Sequence, residues 1–578
     1  MKLIKGQSSR VTRRPRPGRM HGQQAVAPAA QSSTDSAGGR GRGGRSGLEQ
    51  LDDDSLDIGA REAALQGVPL EDDVEENLRL FRLITGPSSD IAMRRMIVEC
   101  EEGPTPAAVL HIQGIVDRER IEHVILAVSE LPGGPRADAM DKLQYKLVRS
   151  SRASLVETFA DAWDELSGGS ALVLVQGHRR ALACSNQAYN TRQIEEAPTD
   201  TTIRGPRQGF VEDLSVNLSL LRQWIRTPNL WIETTTVGRL SRTPVSMAYI
   251  KGLASEELLA EVRQRVQRVD VDALGGAGPL MEMIQDTHLT FVPLALTTER
   301  PDMVVGNLMD GRVALLVQNS PFALVVPMDY GMLFHAADDH YEFVPIAAVM
   351  SVLRVVAFWT SILLPGIFVS VLTFHDELLP TPLLLRIVSD RAGVPLPVVL
   401  EVLTMELVFE LLREAGLRLP RAVGSAVTIV GALILGEAAI NAGLVSPSVI
   451  VVVAATAISS FVLPTFSFSI PIRLLRFVFI ALAGILGLLG VYLGAVGLIA
   501  ILSSHRSFGH PFMVPMAPVI PGDFSEYIFR AWQWQRVLRP KLTGGREQKR
   551  QPKRQMPRQE RSPEREGRSE WRDGKAGE

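Results

Sequence analysis

The chain has 578 residues, which at about 100–200 residues per domain implies at least two folding units. Its 61 Lys+Arg against 63 Asp+Glu give a formal net charge of -2, but that sum hides an asymmetry, because both ends are basic. Only Cys100 and Cys184 are present, far apart and without His or Cys at metal-ligand spacing; this excludes a disulfide framework and a zinc site and reads as small buried hydrophobes in a reducing compartment.

Residues 1–70 read as a disordered basic arm. Within residues 1–46, Arg10, Arg13, Arg14, Arg16, Arg19, Arg40, Arg42 and Arg45 face Asp35 as the only acid, the patch Asp52–Asp54 follows, and there is too little apolar surface to offset chain entropy. No aromatic residue interleaves the arginines, so a solvated tail is preferred and no nucleic-acid partner is expected. A G-x-G-x-x-G match at Gly39, Gly41 and Gly44 has no apolar strand before it, and no P-loop pattern occurs. The basic opening is followed by polar sequence rather than an apolar run, so no signal peptide is expected and the first large domain is placed in the cytoplasm.

From residue 71 to 341, short β-branched runs alternate with amphipathic helical stretches, the pattern of a soluble α/β protein. Two portions look alike. Ala107–Asp117, a helix through Glu119–Leu131 and Ser167–Asn186 correspond to Val245–Ser255, a helix through Glu256–Val269 and Met309–Pro327. Gly114 to Gly177 spans about 63 residues and Gly252 to Asn319 about 67, which predicts two related subdomains, 71–200 and 201–341. Arg204 and Arg207 precede the paired acids Glu212 and Asp213, which favours a salt-bridged structural or intersubunit interface, with both acids near the positive end of a helix.

Past Tyr341 the composition turns apolar, and residues 342–510 read as a transmembrane bundle. Four runs, about 345–374, 422–444, 448–470 and 474–503, exceed the roughly 18–20 residues needed to cross a bilayer, and lipid would force them to be helical. The stretch 378–419 carries Glu401, Glu406 and Glu410 and is expected to be an amphipathic or re-entrant segment, since each acid at the membrane centre would cost about 2.5–3.5 kcal/mol. Four spans put both termini in the cytoplasm, but Arg386, Arg391, Arg413, Arg418, Arg421, Arg473 and Arg476 then lie on or near the other side, so five or six spans stay open. Residues 511–578 read as a charged, disordered cytoplasmic tail.

Within the bundle, Arg354 either snorkels or pairs with an acid, and the default for an intramembrane charge is a polar pathway. Glu437 and Asn441 share a helix face that must meet protein or water, as a structural hydrogen bond or as part of a pore or gate. Gly484, Gly487, Gly490, Gly494 and Gly497 form a stripe that serves either close helix packing or a narrow pore wall. Pro464 and Pro471 either kink or end the third span. His375 beside Asp376 and Glu377 reads as interfacial polarity rather than a metal site. Without a nucleophile–base pair or phosphate loop, no enzyme activity, cofactor or metal is expected.

Several segments carry a resemblance. Arg204–Glu233 (RGPRQGFVEDLSVNLSLLRQWIRTPNLWIE), Asp310–Pro327, the Asp338–Tyr341 element, Thr373–Leu384, Leu412–Gly424, Ile429–Ser446 and Ser507–Pro515 (SFGHPFMVP) together resemble the GerA family of spore germination proteins, its A subunit and SpoVAF-type relatives. The resemblance implies a subunit of a germinant receptor in the inner membrane of a bacterial endospore, acting with a B-type integral-membrane subunit and a C-type lipoprotein. It also implies a homo-oligomer that forms a ligand-gated ion channel opening at germination. A SpoVAF-type channel or amplifier subunit and a non-conducting membrane scaffold are the alternatives. The expected architecture is an α/β bilobed soluble N-terminal domain plus an all-α polytopic membrane bundle.

Overall fold

The computed structural model describes residues 58–131, 135–148, 153–187, 197, 200, 202, 204–288, 290–419, 436–464, 466–520, 531–541, 545, 549–552 and 555–556. The first lobe contains α1 (Ile58–Leu65), α2 (Val74–Thr85), β1 (Ile91–Cys100), β2 (Gly103–Ile112), α3 (Arg118–Ser129), α4 (Ala139–Val148), β3 (Ala153–Val156), α5 (Phe159–Ser167), β4 (Ser170–Val175) and β5 (Ala181–Ser185). Its sheet is antiparallel in the order β1-β2-β4-β5-β3. Ala108, Leu110, Leu172 and Leu174 face α2 and α5, while Ala107, Val109, Val173 and Leu182 face α3 and α4. Both faces of the sheet are covered, which is why its central strands are apolar without alternation.

The second lobe contains α6 (Leu214–Trp224), β6 (Leu230–Val237), β7 (Thr243–Ile250), α7 (Glu256–Gln267), α8 (Ala277–Ile284), β8 (Leu296–Thr298), α9 (Pro301–Met309), β9 (Val313–Val317) and β10 (Ala323–Val326). Its strand order, β6-β7-β9-β10-β8, repeats that of the first lobe. The expectation of two related lobes is therefore met in topology, and side chains carry the repeat further. Asp73 and Asp213 cap α2 and α6 through the amides of Glu75 and Ser215. Asn77 bonds the amide and carbonyl of Glu71, and Asn217 those of Val211. Gln176 and Gln318 accept from the first helical amides, Val74 and Leu214, at 3.0 and 2.9 Å. The turn glycines Gly114 and Gly252 have φ of 84° and 89°, and where Gly177 has φ 88° Asn319 stands at 66°, since asparagine tolerates that region.

The lobes are joined by a buried ion pair. Arg222 of α6 donates to both carboxylate oxygens of Asp90, at 2.7 and 3.1 Å, and lies over the Trp163 ring. The Trp163 indole in turn donates to the Arg226 carbonyl at 2.6 Å.

The C-terminal helices are α10 (Val344–Phe374), α11 (Thr381–Arg391), α12 (Val398–Arg418), α13 (Pro447–Phe461), α14 (Phe466–Leu486) and α15 (Leu488–Ser504), followed by the short hairpin β11 (Arg506–Ser507) and β12 (His510–Pro511). Helix α10 is central, packing on α12, α13, α14 and α15. Gly366 lets it approach α14 closely: a β-carbon there would lie 3.2 Å from the Phe479 carbonyl oxygen.

Several boundaries differ from the sequence expectation. The stretch 474–503 is two helices, because Gly487 adopts φ 63° and reverses the chain. The run 448–470 ends at Phe461, and Pro471 lies inside α14 rather than terminating a helix. Within the arm 1–70, Ile58–Leu65 is helical, with Leu65 in the first lobe's core and Arg61 over the Trp231 ring. Residues 1–57, 420–435 and most of the far C-terminal tail lie outside the described residues, so the arm and much of the run 422–444 are among those not described.

Candidate functional site

The second lobe and the bundle share one apolar core. Leu218, Leu221, Val304 and Leu316 of the lobe, Tyr330 and Phe334 of the connecting segment, and Phe358, Ile362 and Phe468 of α10 and α14 belong to a single buried cluster. Aromatic rings bridge it: Tyr330–Phe334 centroids are 5.0 Å apart, Phe334–Phe358 5.6 Å and Phe358–Phe468 5.5 Å. The first lobe's two clusters contain only its own residues.

Polar contacts surround this joint. A 3-10 turn, Ala337–His340, directly precedes α10. Buried Asp339 accepts from the Ala336 amide at 2.8 Å and from Arg354 of α10 at 2.5 Å, and Arg354 also donates to the Phe334 carbonyl at 3.1 Å. The Tyr341 hydroxyl donates to Asp302 at 3.0 Å, and Asp302 is held by the buried Arg300. Burial, then the charge of Asp302, pushes the Tyr341 phenol up to about 12. The Tyr341 ring lies where a side chain on Gly205 would be, 2.7 Å from a built β-carbon. Arg204 pairs with Glu342 at 3.2 Å.

The chain leaving α15 returns to the same lobe. Ser507 Oγ donates to the Leu294 carbonyl at 2.6 Å and accepts from the Met328 amide at 2.9 Å. The Phe508 amide donates to Asp286 at 2.6 Å, Arg265 lies 4.6 Å over the Phe508 ring, and the Tyr330 amide donates to the Phe512 carbonyl at 2.8 Å. Residues 511–514, the start of the expected disordered tail, are thus folded onto the second lobe, with Phe512, Met513 and Val514 buried.

A second constellation runs along α12. Glu401 is fully buried, paired with Arg391 at 2.9 Å, and accepts from the Ser446 amide and hydroxyl at 3.1 and 3.0 Å. Glu406 pairs with Arg476, which donates to the Ser361 carbonyl at 2.9 Å, and Glu410 pairs with Arg473. The outward face of α12 carries Leu400, Leu407, Leu411 and Leu417. Glu401, Glu406 and Glu410 thus each meet a guanidinium from another segment, while Glu414 is exposed and pairs with Arg418 of the same helix. Sequence reading missed these pairs. Glu406 and Glu410 sit one turn apart, as do Arg473 and Arg476, and that matched spacing on two helices was the available signal.

The residues singled out from sequence are not brought together. Arg354 is in the joint. Glu437 and Asn441 are exposed, in a helical stretch at 436–441. Gly484 faces Val399 of α12, with a built β-carbon 3.0 Å from its methyls; Gly490 and Gly494 face Leu482 and Phe479 of the preceding helix, and Gly487 is the turn between them. Gly484, Gly490 and Gly494 thus pack helices against one another, whereas a β-carbon at Gly497 meets open space. Arg204 joins the site and Arg207 is exposed. Asp213 is a helix cap, and Glu212 accepts from the Asn319 amide through its carbonyl at 2.8 Å.

The family described as Bacillus/Clostridium GerA spore germination protein matches residues 79–542. The chain belongs to the GerA family. Spore germination protein KA of Bacillus subtilis (strain 168) is 39% identical over 83% of this chain and 89% of its own length. The uncharacterized membrane protein YfkQ of the same organism is 34% identical over 82% and 92%, and spore germination protein GerLA of Bacillus cereus 33% identical over 80% and 94%. The N-terminal domain of the A subunit of the Bacillus megaterium spore germinant receptor GerK3 is 29% identical, with a TM-score of 0.35, and covers 45% of this chain and 96% of that one. In this GerA-family chain, Val344–Phe374 and Phe468–Leu486 are long and apolar enough to cross a membrane, with shorter apolar helices at Pro447–Phe461 and Leu488–Ser504, which agrees with a membrane association.

Proposed function

We propose that this chain is the A-type membrane subunit of a spore germinant receptor and forms, as a homo-oligomer, a ligand-gated ion channel that opens at the start of germination. B-type integral-membrane and C-type lipoprotein subunits are its partners, and the complex sits in the inner spore membrane. The observation that carries the reading is the single apolar core, ringed by Arg354–Asp339 and Tyr341–Asp302, that makes the second lobe and the membrane helices one mechanical unit. A signal that shifts the second lobe must either move α10 with it or break that core, and close-packed interiors resist gradual deformation. No catalytic step enters the mechanism.

The path of the described helices supports multiple crossings, with the start of α10 and the end of α15 both against the second lobe. Helix α10 starts against the second lobe and ends at Phe374, beside Gly487. Helix α12 begins at that far end, where Glu401 meets Ser446, and runs back toward Phe461. Helix α13 runs from Ser446 in the same direction as α12, and α14 and α15 complete an out-and-back hairpin that ends on the second lobe. Among the described residues, α10, α12, α13, α14 and α15 are then five passes, with α12 crossing rather than lying on the surface. Paired charges make such a crossing tolerable, since buried acids with guanidinium partners avoid most of the cost of isolated ones.

The decisive measurement is ion flux through liposomes containing the purified oligomer, alone and with its partner subunits. Flux that is gated by a germinant and altered by Asp339→Ala supports the reading. Absence of flux from every assembly containing the chain would make it a non-conducting scaffold.

A further inference from the structure

Part of the C-terminal tail is docked on the joint. Arg539 is nine-tenths buried: its Nε donates at 3.0 Å to the carbonyl of Met309, the last residue of α9, where a cation is favoured by the helix dipole. Its Nη1 donates to the Lys549 carbonyl at 2.6 Å. Leu538 bridges Lys549, the Arg550 amide donates to the Val537 carbonyl at 2.8 Å, and the Arg550 guanidinium lies 2.9 Å from Asp310. The Gly545 amide donates to the Leu253 carbonyl. Between this segment and the joint lies a cavity of about 380 Å³. Asp302, Arg312, His335 and Tyr341 line it from the lobe and the connecting segment, and Arg536 and Arg550 line it from the tail.

We propose that residues 531–541, with Gly545 and residues 549–552, act as an intramolecular strap: an arginine-bearing segment that docks on the C-terminal end of α9, walls the cavity and holds the turn before α10 in place. Three features fit this occupant. The docking surface offers acceptors, the Asp310 carboxylate and the carbonyls of Met309 and Leu253, to a segment whose contacts are guanidinium and amide donors. The tether supplies an effective concentration of about millimolar order, enough to keep weak contacts closed. The strap also faces Tyr341 across the cavity, so its release exposes the turn that contains Asp339. The proposal does not depend on whether the chain conducts ions.

The test compares hydrogen exchange in the full chain and in a chain ending at residue 530, both in nanodiscs. Truncation is expected to speed amide exchange about tenfold or more in the last turn of α9 and in residues 335–341, while the first lobe's strands exchange as before. A synthetic peptide of residues 531–552 added in trans should restore protection, and the same peptide carrying Arg539→Ala and Arg550→Ala should not. The full-length double variant Arg539→Ala, Arg550→Ala should match the truncation, which keeps the test decisive if the shortened chain folds poorly. Unchanged exchange in both the truncation and the double variant, or equal protection by the two peptides, overturns the strap.

Discussion

Arg222 and Asp90 are both almost completely buried at the boundary between the lobes. Removing one partner leaves the other charge stranded, so Arg222→Met should destabilise by about 3–5 kcal/mol, read as a lowered denaturant midpoint, and adding Asp90→Leu should recover most of it. Glu233 offers a pH-dependent case. Burial pushes its carboxyl up, but hydrogen bonds from Arg263 at 2.7 Å and Tyr249 at 2.5 Å, with the Arg263 charge, hold it below the usual carboxylate range. A depressed folded pKa contributes stability that is fully present above the unfolded value of about 4.3 and is lost as pH falls through the folded value. Glu233→Gln should therefore lower stability at neutral pH by roughly 1–2 kcal/mol, with a difference from wild type that shrinks in acid; a constant difference across the pH range would refute the assignment. At this scale the sequence was partly legible. Arg354 stood out as a charge in an apolar run, but its partner Asp339 did not, because only the 3-10 turn before α10 folds that carboxylate back beneath the arginine.

Among the elements, the α14–α15 hairpin depends on one backbone position. Gly487 has a left-handed φ of 63°, and a built β-carbon falls 2.9 Å from the His375 ring. Gly487→Val should destabilise the bundle by more than about 2 kcal/mol, seen as a lower melting temperature or loss of folded protein in detergent, whereas Gly497→Ala, where a β-carbon meets open space, should be close to neutral. The glycine spacing was visible in the sequence. That it divides into two facing helices was not, because an unbroken apolar run carries no mark of a reversal when its turn residue is one glycine among several. Helix α12 makes the complementary point. Glu401, Glu406 and Glu410 argued against burial in lipid while their partners were unknown, and the partners Arg391, Arg473 and Arg476 come from other segments.

For the whole molecule, the continuous core predicts that the joint transmits force. Arg354→Gln, which removes the charge while keeping a polar side chain, should weaken coupling between the second lobe and α10: germinant-triggered flux should fall or become constitutive, with the protein still folded by melting and still in the membrane. Unchanged gating would show that Arg354–Asp339 is only an anchor.

Composition and periodicity by themselves determined the α/β class, the internal repeat and the start of the apolar region near Tyr341. These follow from local spacing of apolar, turn and charged residues, which the chain carries whatever its final packing. Tertiary structure alone decided how the apolar region divides into helices, which charges neutralise one another, and that both ends of the bundle and part of the C-terminal tail return to the second lobe. Those outcomes rest on contacts between residues far apart in sequence, such as Glu406 with Arg476 and Ser507 with Leu294, whose energies exist only once the helices are assembled.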